Sequence, residues 1–323
     1  MHPAEPTRVS LANLPTPIVD ASRLAPNLLV KRDDLTGLEM TGNKVRKLEY
    51  VVADAIAKGA DTLVTHGGFQ SNHCRATAAA GAKLGLNVRL FLRSADANPA
   101  HDGNLFLDHL LGADVSLHSV EQYNDRKPLT ESILNEQRAK GRSPYFFPVG
   151  ASVPVGCWGY IRCMHELATQ LGRDRLVDLF VPVSSSGTMA GCVLGRALFG
   201  LTDFRIVGIP VSDTIQFFQS DLRKLIDDTI AAFDLKLTHE QTPIELLDGS
   251  IGAGYAVPFP EAIETIRLAA TQAGLLLDPT YTGKAMHGTL TAIRAGKVRA
   301  GATPVFLHTG GVFGLLARRE LFA

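Results

Sequence analysis

The chain has 323 residues, 46% hydrophobic and 20% charged, which is enough apolar mass for about two domains and argues against a disordered chain. Lys+Arg and Asp+Glu each total 32, and this balance argues against a nucleic-acid or anionic-membrane surface. No apolar run reaches the roughly 18 residues of a membrane span, and "MHPAEPTRVSLANLPTPIVD" lacks the basic and apolar regions of a secretion signal, so a cytoplasmic protein is expected.

The first element, "LLVKRDD" (28–34), is apolar with a polar end and reads as a strand. From Asn43 the pattern takes a helical period: Val45, Leu48, Val52, Ala55 and Ile56 share one face up to "KGAD". "TLVTH" (62–66) reads as a buried strand, "GGFQSN" as a loop, and "HCRATAAAGAKLG" as an Ala-rich helix closed by Gly85. "NVRLFL" (87–92) is the next strand. A helix near 102–112, the segment "ADVSLH" and a helix near 122–140 continue the alternation. After "YFFPVGA" come a helix over 156–171, a strand "LVDLFVPV" (176–183), the loop "SSSG" and a helix from Thr188. "FRIVGIPV" (204–211) opens a further unit, and "TPVFLHTGG" (303–311) is the last strand and loop.

Strands alternating with helices make βαβ units, so the fold class is α/β with a mostly parallel sheet. Ligands of such sheets bind at the carboxyl ends of strands. Three strands here end in loops of small residues: His66-Gly67-Gly68, Ser184-Ser185-Ser186-Gly187 and His308-Thr309-Gly310-Gly311. With no repeat, low-complexity segment or linker, a second domain is expected as an insertion. The expected division is a large domain of 1–46 and 151–323 and a small domain of 47–150.

Several chemistries find no footing. There is no GxxxxGK[ST] and no GxGxxG after a strand, so neither a P-loop nor a dinucleotide fingerprint is present. "HELAT" (165–169) has Thr169 where a zincin helix needs its second histidine, and the ten histidines show no ligand spacing, so no protein metal site is expected. The four cysteines lack a CxxC and read as small buried thiols in a reducing compartment.

Other stretches carry two readings. In "VPVSSSGTMAG" (181–191) a strand runs into small residues and a helix start. Backbone N–H groups and the helix dipole there suit a phosphate, but a plain Ser/Thr cap fits equally. "GGFQSNHCR" (67–75) presents Gln70, Ser71 and Asn72 at a helix start, again as ligand groups or as caps. Lys44 in "EMTGNKVRKLEY" is a solvated charge or a reactive amine. Tyr255 and Tyr281 sit among turn residues and by themselves read as buried aromatics.

Taken together, "KRDDLTG", "GNKVRKLEY", "GADTLVTHGGFQSNH", "GTMAG", "LDPTYTGKAMHG" and "HTGG" closely resemble, in order, the 1-aminocyclopropane-1-carboxylate deaminase and D-cysteine desulfhydrase family. The resemblance runs from about Leu14 to the C-terminus. It implies a pyridoxal 5'-phosphate enzyme with the two-domain tryptophan-synthase-β type of fold (fold type II), usually a homodimer. It implies that Lys44 carries the cofactor as a Schiff base, since a lysine amine forms and exchanges imines and moves protons. Lys47, about 300° further around an ideal helix, is then a surface or phosphate-side charge. By the same resemblance Ser185, Ser186, Gly187 and Thr188 cradle the phosphate. Asn72 meets the ring hydroxyl, and Thr309 meets the pyridine nitrogen. Ser71 lies near the substrate carboxylate and Cα, where it or Lys44 handles the Cα proton, flanked by Gln70 and His73, with Asn43 also on the substrate side. Tyr281 and Tyr255 match the family's paired active-site tyrosines.

The deaminase branch carries a glutamate after the tyrosine equivalent to Tyr281 and a leucine before the last Gly-Gly. Here those places hold Thr282 and Thr309, as in the desulfhydrase branch. A neutral hydroxyl makes a weaker electron sink than a carboxylate at the pyridine nitrogen, which suits α,β-elimination from a Cβ that bears a good leaving group. The favoured reaction is therefore cleavage of a small amino acid, D-cysteine first, to pyruvate, sulfide and ammonia. L-cysteate, losing sulfite, is a close variant. Cyclopropane deamination is the alternative within the fold, and a non-catalytic cofactor-binding regulatory protein is the alternative outside enzymology. The chain departs from the family pattern at Ser184 and Ser186, where glycine is common, at Thr41 before "GNK", and at Phe69 and Phe313, whose rings bear on the shape of the substrate pocket.

Overall fold

The computed structural model describes residues 4–323. The chain opens with two short strands, β1 (Ile18–Asp20) and β2 (Leu29–Lys31), paired antiparallel. The strand expected over 28–34 stops at Lys31, because Asp33–Leu35 form a 3-10 turn that carries the Asp33 carboxylate inward to Arg46. Helix α1 (Lys44–Ala57), strand β3 (Thr62–Gly68), helix α2 (Asn72–Leu84) and strand β4 (Asn87–Arg93) follow. Helix α2 ends where expected: Gly85 takes the left-handed conformation, with φ 70° and ψ 25°. On the face of α1 expected to be buried, Ile56 is the exception and is exposed.

Next come α3 (Gly103–Leu110), β5 (Asp114–His118), α4 (Val120–Asn124), α5 (Arg126–Ala139) and β6 (Pro144–Phe146). The single helix expected near 122–140 is thus two. Asp125, at φ −92° and ψ 47°, breaks the ladder between them, and Ser119 starts the first with a capping box. The remaining elements are α6 (Pro154–Leu171), β7 (Val177–Val183), α7 (Gly187–Leu198), β8 (Phe204–Pro210), α8 (Ile215–Ala232), α9 (Pro260–Ala273), α10 (Thr282–Arg294), β9 (Thr303–Leu307) and α11 (Val312–Leu316).

Two sheets result. The first has five strands in the order β1-β2-β9-β7-β8, and the second has four in the order β5-β4-β3-β6. Every neighbouring pair except β1–β2 runs parallel. Strand β7 is buried along its whole length, the mark of a parallel strand covered on both faces. The strands of the second sheet all fall between residues 62 and 146, and those of the first fall outside that span.

Helix α1 joins the two halves. Tyr50 packs in the core of the larger sheet, whereas Val45, Leu48, Val51 and Val52 pack in that of the smaller. Residue 46, the expected boundary, lies inside this helix. A Cβ on Gly159 would lie 2.4 Å from the Arg46 carbonyl oxygen, so α6 approaches α1 at a distance only glycine allows. Arg46 is buried and donates to both carboxylate oxygens of Asp33 at 2.8 Å and to both of Glu166 at 2.9 Å. Lys31 also pairs with Glu166, and the Tyr160 hydroxyl donates to Asp33 at 2.5 Å. Among the described residues all four cysteines are free and buried, and no helix is long and apolar enough to cross a membrane.

Candidate active site

The carboxyl ends of β3, β7 and β9 open onto one cavity of about 250 Å³ between the two sheets. Asn43, Lys44, Ser71, Asn72, His73, Ser185, Tyr255, Tyr281 and Thr309 all line it. Ser186, Gly187, Thr188 and Gln70 do not. The Ser186 hydroxyl is paired with Asp221. Gly187 N–H donates to Ser152 Oγ at 3.2 Å, and Thr188 Oγ1 accepts from Asn43 Nδ2 at 2.9 Å. The Gln70 amide turns toward α3, donating to the Asp102 carbonyl and accepting from Asn104 N–H, both at 2.9 Å.

Lys44 owes its position to two glycine turns packed backbone against backbone. Gly42 has φ 108° and Gly310 φ 94°. A Cβ on Gly42 would lie 2.8 Å from the Thr309 carbonyl oxygen, and one on Gly310 would lie 2.8 Å from Gly42 Cα. Asn43 N–H donates to that same Thr309 oxygen at 3.1 Å, which ties the start of α1 to the end of β9. Lys44 Nζ then donates to Asn43 Oδ1 at 3.0 Å. Burial lowers the Lys44 pKa to about 8, and the Asp278 carboxylate offsets only part of that. A useful fraction of the amine is therefore unprotonated near neutrality.

Asp278 also sets one tyrosine. It accepts from the backbone N–H of Thr280 and Tyr281 at 3.1 Å and of Thr282 at 2.8 Å, and from Thr282 Oγ1 at 2.7 Å. The hydroxyls of Tyr281 and Tyr255 meet at 2.7 Å, and burial raises the pKa of both. The Tyr255 loop is pinned by Lys284, whose ammonium donates to the carbonyls of Ile251 and Gly254 at 2.8 Å. Asp278 and Lys284 both stand in "LDPTYTGKA", but neither had been marked as a positioning group. The signal is a carboxylate just before α10 and a lysine within it, both buried by the fold.

Ser71 caps α2, accepting from Cys74 N–H at 3.2 Å, and lines the cavity. His73 has a defined tautomer. Thr65 Oγ1 donates its only proton to the Phe147 carbonyl at 2.7 Å, so its 2.9 Å contact with His73 Nε2 is accepted from Nε2–H. Nδ1 is then a bare acceptor. Burial, followed by Lys44 and Lys47, keeps this histidine neutral.

Lys47 corrects an expectation. It is completely buried, which removes the surface alternative and leaves the phosphate side. A Cβ on Gly187 would lie 3.3 Å from its ammonium nitrogen, so the charge sits beside the N-terminus of α7. Burial, and then the like charge of Lys44, lowers its pKa well below the usual lysine range. Phe69 and Phe313 do not line the cavity. Phe69 packs on the core of the smaller sheet, and the Arg75 guanidinium lies 4.9 Å from the Phe313 ring centroid.

Residues 9–310 match the family model described as "Pyridoxal-phosphate dependent enzyme". The chain belongs to this family. It is 38% identical over 338 residues to the bifunctional D-cysteine desulfhydrase/1-aminocyclopropane-1-carboxylate deaminase, mitochondrial, of Arabidopsis thaliana, covering 100% of this chain and 82% of that protein. It is 37% identical over 319 residues to D-cysteine desulfhydrase of Yersinia pestis (strain Pestoides F), covering 96% of this chain and 95% of that one. A crystal structure of an ACC deaminase homologue superposes with a TM-score of 0.90 at 35% identity, covering 98% of this chain and 96% of that one. The enzyme therefore has fold type II and depends on pyridoxal phosphate, which replaces the reading of a non-catalytic regulator.

The residues present fit that cofactor. Buried Lys47 Nζ, His73 Nδ1 and Ser212 Oγ, all in or next to the cavity, have no hydrogen-bond partner among the described residues. An unpaired buried ammonium is costly. Placed at the N-terminus of a helix, it suits a phosphate, which accepts from both. The Lys44 amine suits an aldehyde.

Proposed function

We propose that the enzyme performs α,β-elimination on a small amino acid with a leaving group on Cβ, D-cysteine first, giving pyruvate, sulfide and ammonia. The observation that carries the reading is the Lys44 amine, with a pKa near 8, in one cavity with Ser71 and the hydrogen-bonded Tyr255–Tyr281 pair. D-cysteine is favoured because the Yersinia pestis and Arabidopsis thaliana relatives carry that activity in their names. Bound pyridoxal phosphate supplies an electron sink for the pair left on Cα when its proton departs.

The chain's own residues supply the rest. Lys47 and the start of α7, from Ser185 to Thr188, hold the phosphate. Asn72 meets the ring hydroxyl and Thr309 the ring nitrogen. Ser71 and Asn72, at the start of α2, orient the substrate carboxylate through the helix dipole and their polar groups. Gln70 acts from behind, because its amide holds α3 and thereby the turn before Ser71. His73 presents an acceptor on the same side, and Asn43 orients Lys44. Lys44 takes the Cα proton, and the Tyr255–Tyr281 pair covers the opposite side, where a phenol proton is available to the departing group. Thr282 spends its hydroxyl on Asp278, so its part is to hold Tyr281.

The reading keeps the division into domains of 1–46 with 151–323 and 47–150, which the partition of strands between the sheets supports. It also keeps a homodimer, on the family resemblance, and a cytoplasmic location, on four buried free thiols, with no nucleic-acid or membrane partner. The test is a keto-acid assay on the holoenzyme with D- and L-cysteine, cysteate and 1-aminocyclopropane-1-carboxylate. Pyruvate from D-cysteine, abolished together with the cofactor's visible band in Lys44→Ala, supports the reading. 2-Oxobutanoate from the cyclopropane substrate, with no pyruvate from any β-substituted amino acid, would overturn it.

A further inference from the structure

Arg93 is the last residue of β4 and lines the same cavity. Its guanidinium is held by rings rather than by an acid. It lies 5.1 Å from the centroid of Tyr255, which lines the cavity from the loop before α9, and 5.4 Å from that of Tyr123 in α4. Among the described residues it makes no ion pair and no side-chain hydrogen bond. Asp213 is the carboxylate on this cavity, and it is exposed and unpaired with Arg93. A guanidinium has five N–H donors in a planar fork. Aromatic contacts attract its charge but leave hydrogen bonds along its edge unmade. Tyr123 is itself fixed, with its hydroxyl 2.6 Å from His66 Nδ1, and the Arg126 guanidinium lies 5.7 Å from its ring centroid. The cavity thus holds a positioned cation that neither Lys44 nor the phosphate site uses.

We propose that Arg93 receives the negative charge of the departing Cβ substituent, so that the enzyme favours substrates whose substituent is, or leaves as, an oxyanion or thiolate. This rests on the elimination reading. The proposed mechanism gives the α-carboxylate to the start of α2 and the leaving group to the Tyr255–Tyr281 pair; Arg93 neighbours Gly68 across the sheet and lies against the Tyr255 ring of that pair. In the reaction the Cα–H bond breaks and its proton goes to Lys44. A Cα–Cβ double bond forms, the Cβ–X bond breaks, and its electron pair departs with X. Water then converts the released enamine, through its imine, to pyruvate and ammonia. No oxidant or reductant is needed. Charge grows on X as the bond stretches, so a fixed guanidinium binds the transition state more tightly than the ground state.

The test compares wild type, Arg93→Gln and Arg93→Lys holoenzymes on D-cysteine, cysteate and β-chloroalanine, whose chloride departs as a very weakly basic anion that needs little hydrogen-bonded stabilisation. A second readout titrates the cofactor's absorption band with cysteate and with alanine, which has no leaving group. Arg93→Gln is expected to lower kcat/KM for cysteate by roughly 10- to 100-fold, the worth of a charge-assisted hydrogen bond, with a several-fold smaller loss for β-chloroalanine. Arg93→Lys recovers part of that loss, because it keeps the charge but not the fork. Equal losses on all three substrates would make Arg93 a structural clamp between Tyr123 and Tyr255 and overturn the proposal. If the wild type releases pyruvate from none of them, the elimination reading fails separately. The band titration then decides for Arg93: its affinity for cysteate relative to alanine must fall in Arg93→Gln, and an unchanged ratio refutes the assignment.

Discussion

Folding lowers the Lys44 pKa from 10.5 to about 8, with burial as the first cause. The folded chain therefore binds this proton more weakly than the unfolded chain. Below about pH 8 both states are protonated and the whole cost of burying the ammonium is present. Between pH 8 and 10.5 the cost shrinks, and above 10.5 it is gone. At about 1.4 kcal/mol per pKa unit, a shift of roughly 2.5 units amounts to about 3 kcal/mol. That figure is an upper one, because Lys44 lines a water-accessible cavity and is only partly buried. Lys44→Met removes the charge and nearly keeps the stem's volume. It also relieves Lys47 of a like charge and deprives Asp278 of a counter-charge, and these effects oppose each other. With the cofactor removed, the Met variant is expected to be more stable than wild type at pH 7 by up to about 3 kcal/mol, and by under about 1 kcal/mol at pH 10. Urea denaturation at the two pH values checks this, read as midpoint shifts because two sheets need not unfold as one unit. A variant no more stable than wild type at pH 7, or a gain of the same size at pH 10, refutes the reasoning.

Four further outcomes are expected. Lys47→Met should weaken binding of pyridoxal phosphate by roughly 10- to 100-fold but hardly alter binding of pyridoxal, which lacks the phosphate; equal effects in equilibrium titration would move Lys47 off the phosphate. Arg46→Met takes from the buried Asp33 carboxylate its ion-pair partner, leaving, among the described residues, only the Tyr160 and Thr16 hydroxyls as donors, and should cost about 3–5 kcal/mol in chemical denaturation. Burial acts to raise the Asp33 pKa, but Arg46 and Lys31 outweigh it and hold the carboxyl below its usual range. That contribution is present above the ordinary carboxylate pKa and is lost as pH falls through the lowered one, so wild type should lose stability on acidification more steeply than Asp33→Asn. Tyr281→Phe breaks the 2.7 Å bond to Tyr255 and should lower kcat by roughly 10²-fold with KM within a few-fold, measured as pyruvate release; an unchanged kcat removes the pair from the proton path.

Much of this protein was legible in local sequence. The Ala-rich helix closed by Gly85, the all-buried strand from Val177 to Val183 and the small-residue loops at three strand ends each follow from periodicity, a cap or a turn, which depend on neighbours in the chain. The motif order carried the family and the cofactor, and with them Lys44 as the reactive amine. Tertiary structure decided what depends on groups far apart in sequence. Lys47 has the same local pattern as a surface lysine, and only α6 packed on α1, with the start of α7 beside it, makes it a buried amine at a helix N-terminus. Gln70 sits in the motif beside Ser71, but α3 draws its amide away from the cavity. Helices α8, α9 and α10 were unassigned, because they lie in the stretch of the chain without clear strand punctuation. Arg93 carried one faint sequence signal, its position just after the strand "NVRLFL", where ligands of parallel sheets bind. Its place at a strand end became meaningful only when a loop from the larger sheet's half of the chain laid Tyr255 across it. Backbone pattern reports which groups a segment hides, but the partner a hidden charge meets is set by packing between segments that the chain order does not bring together.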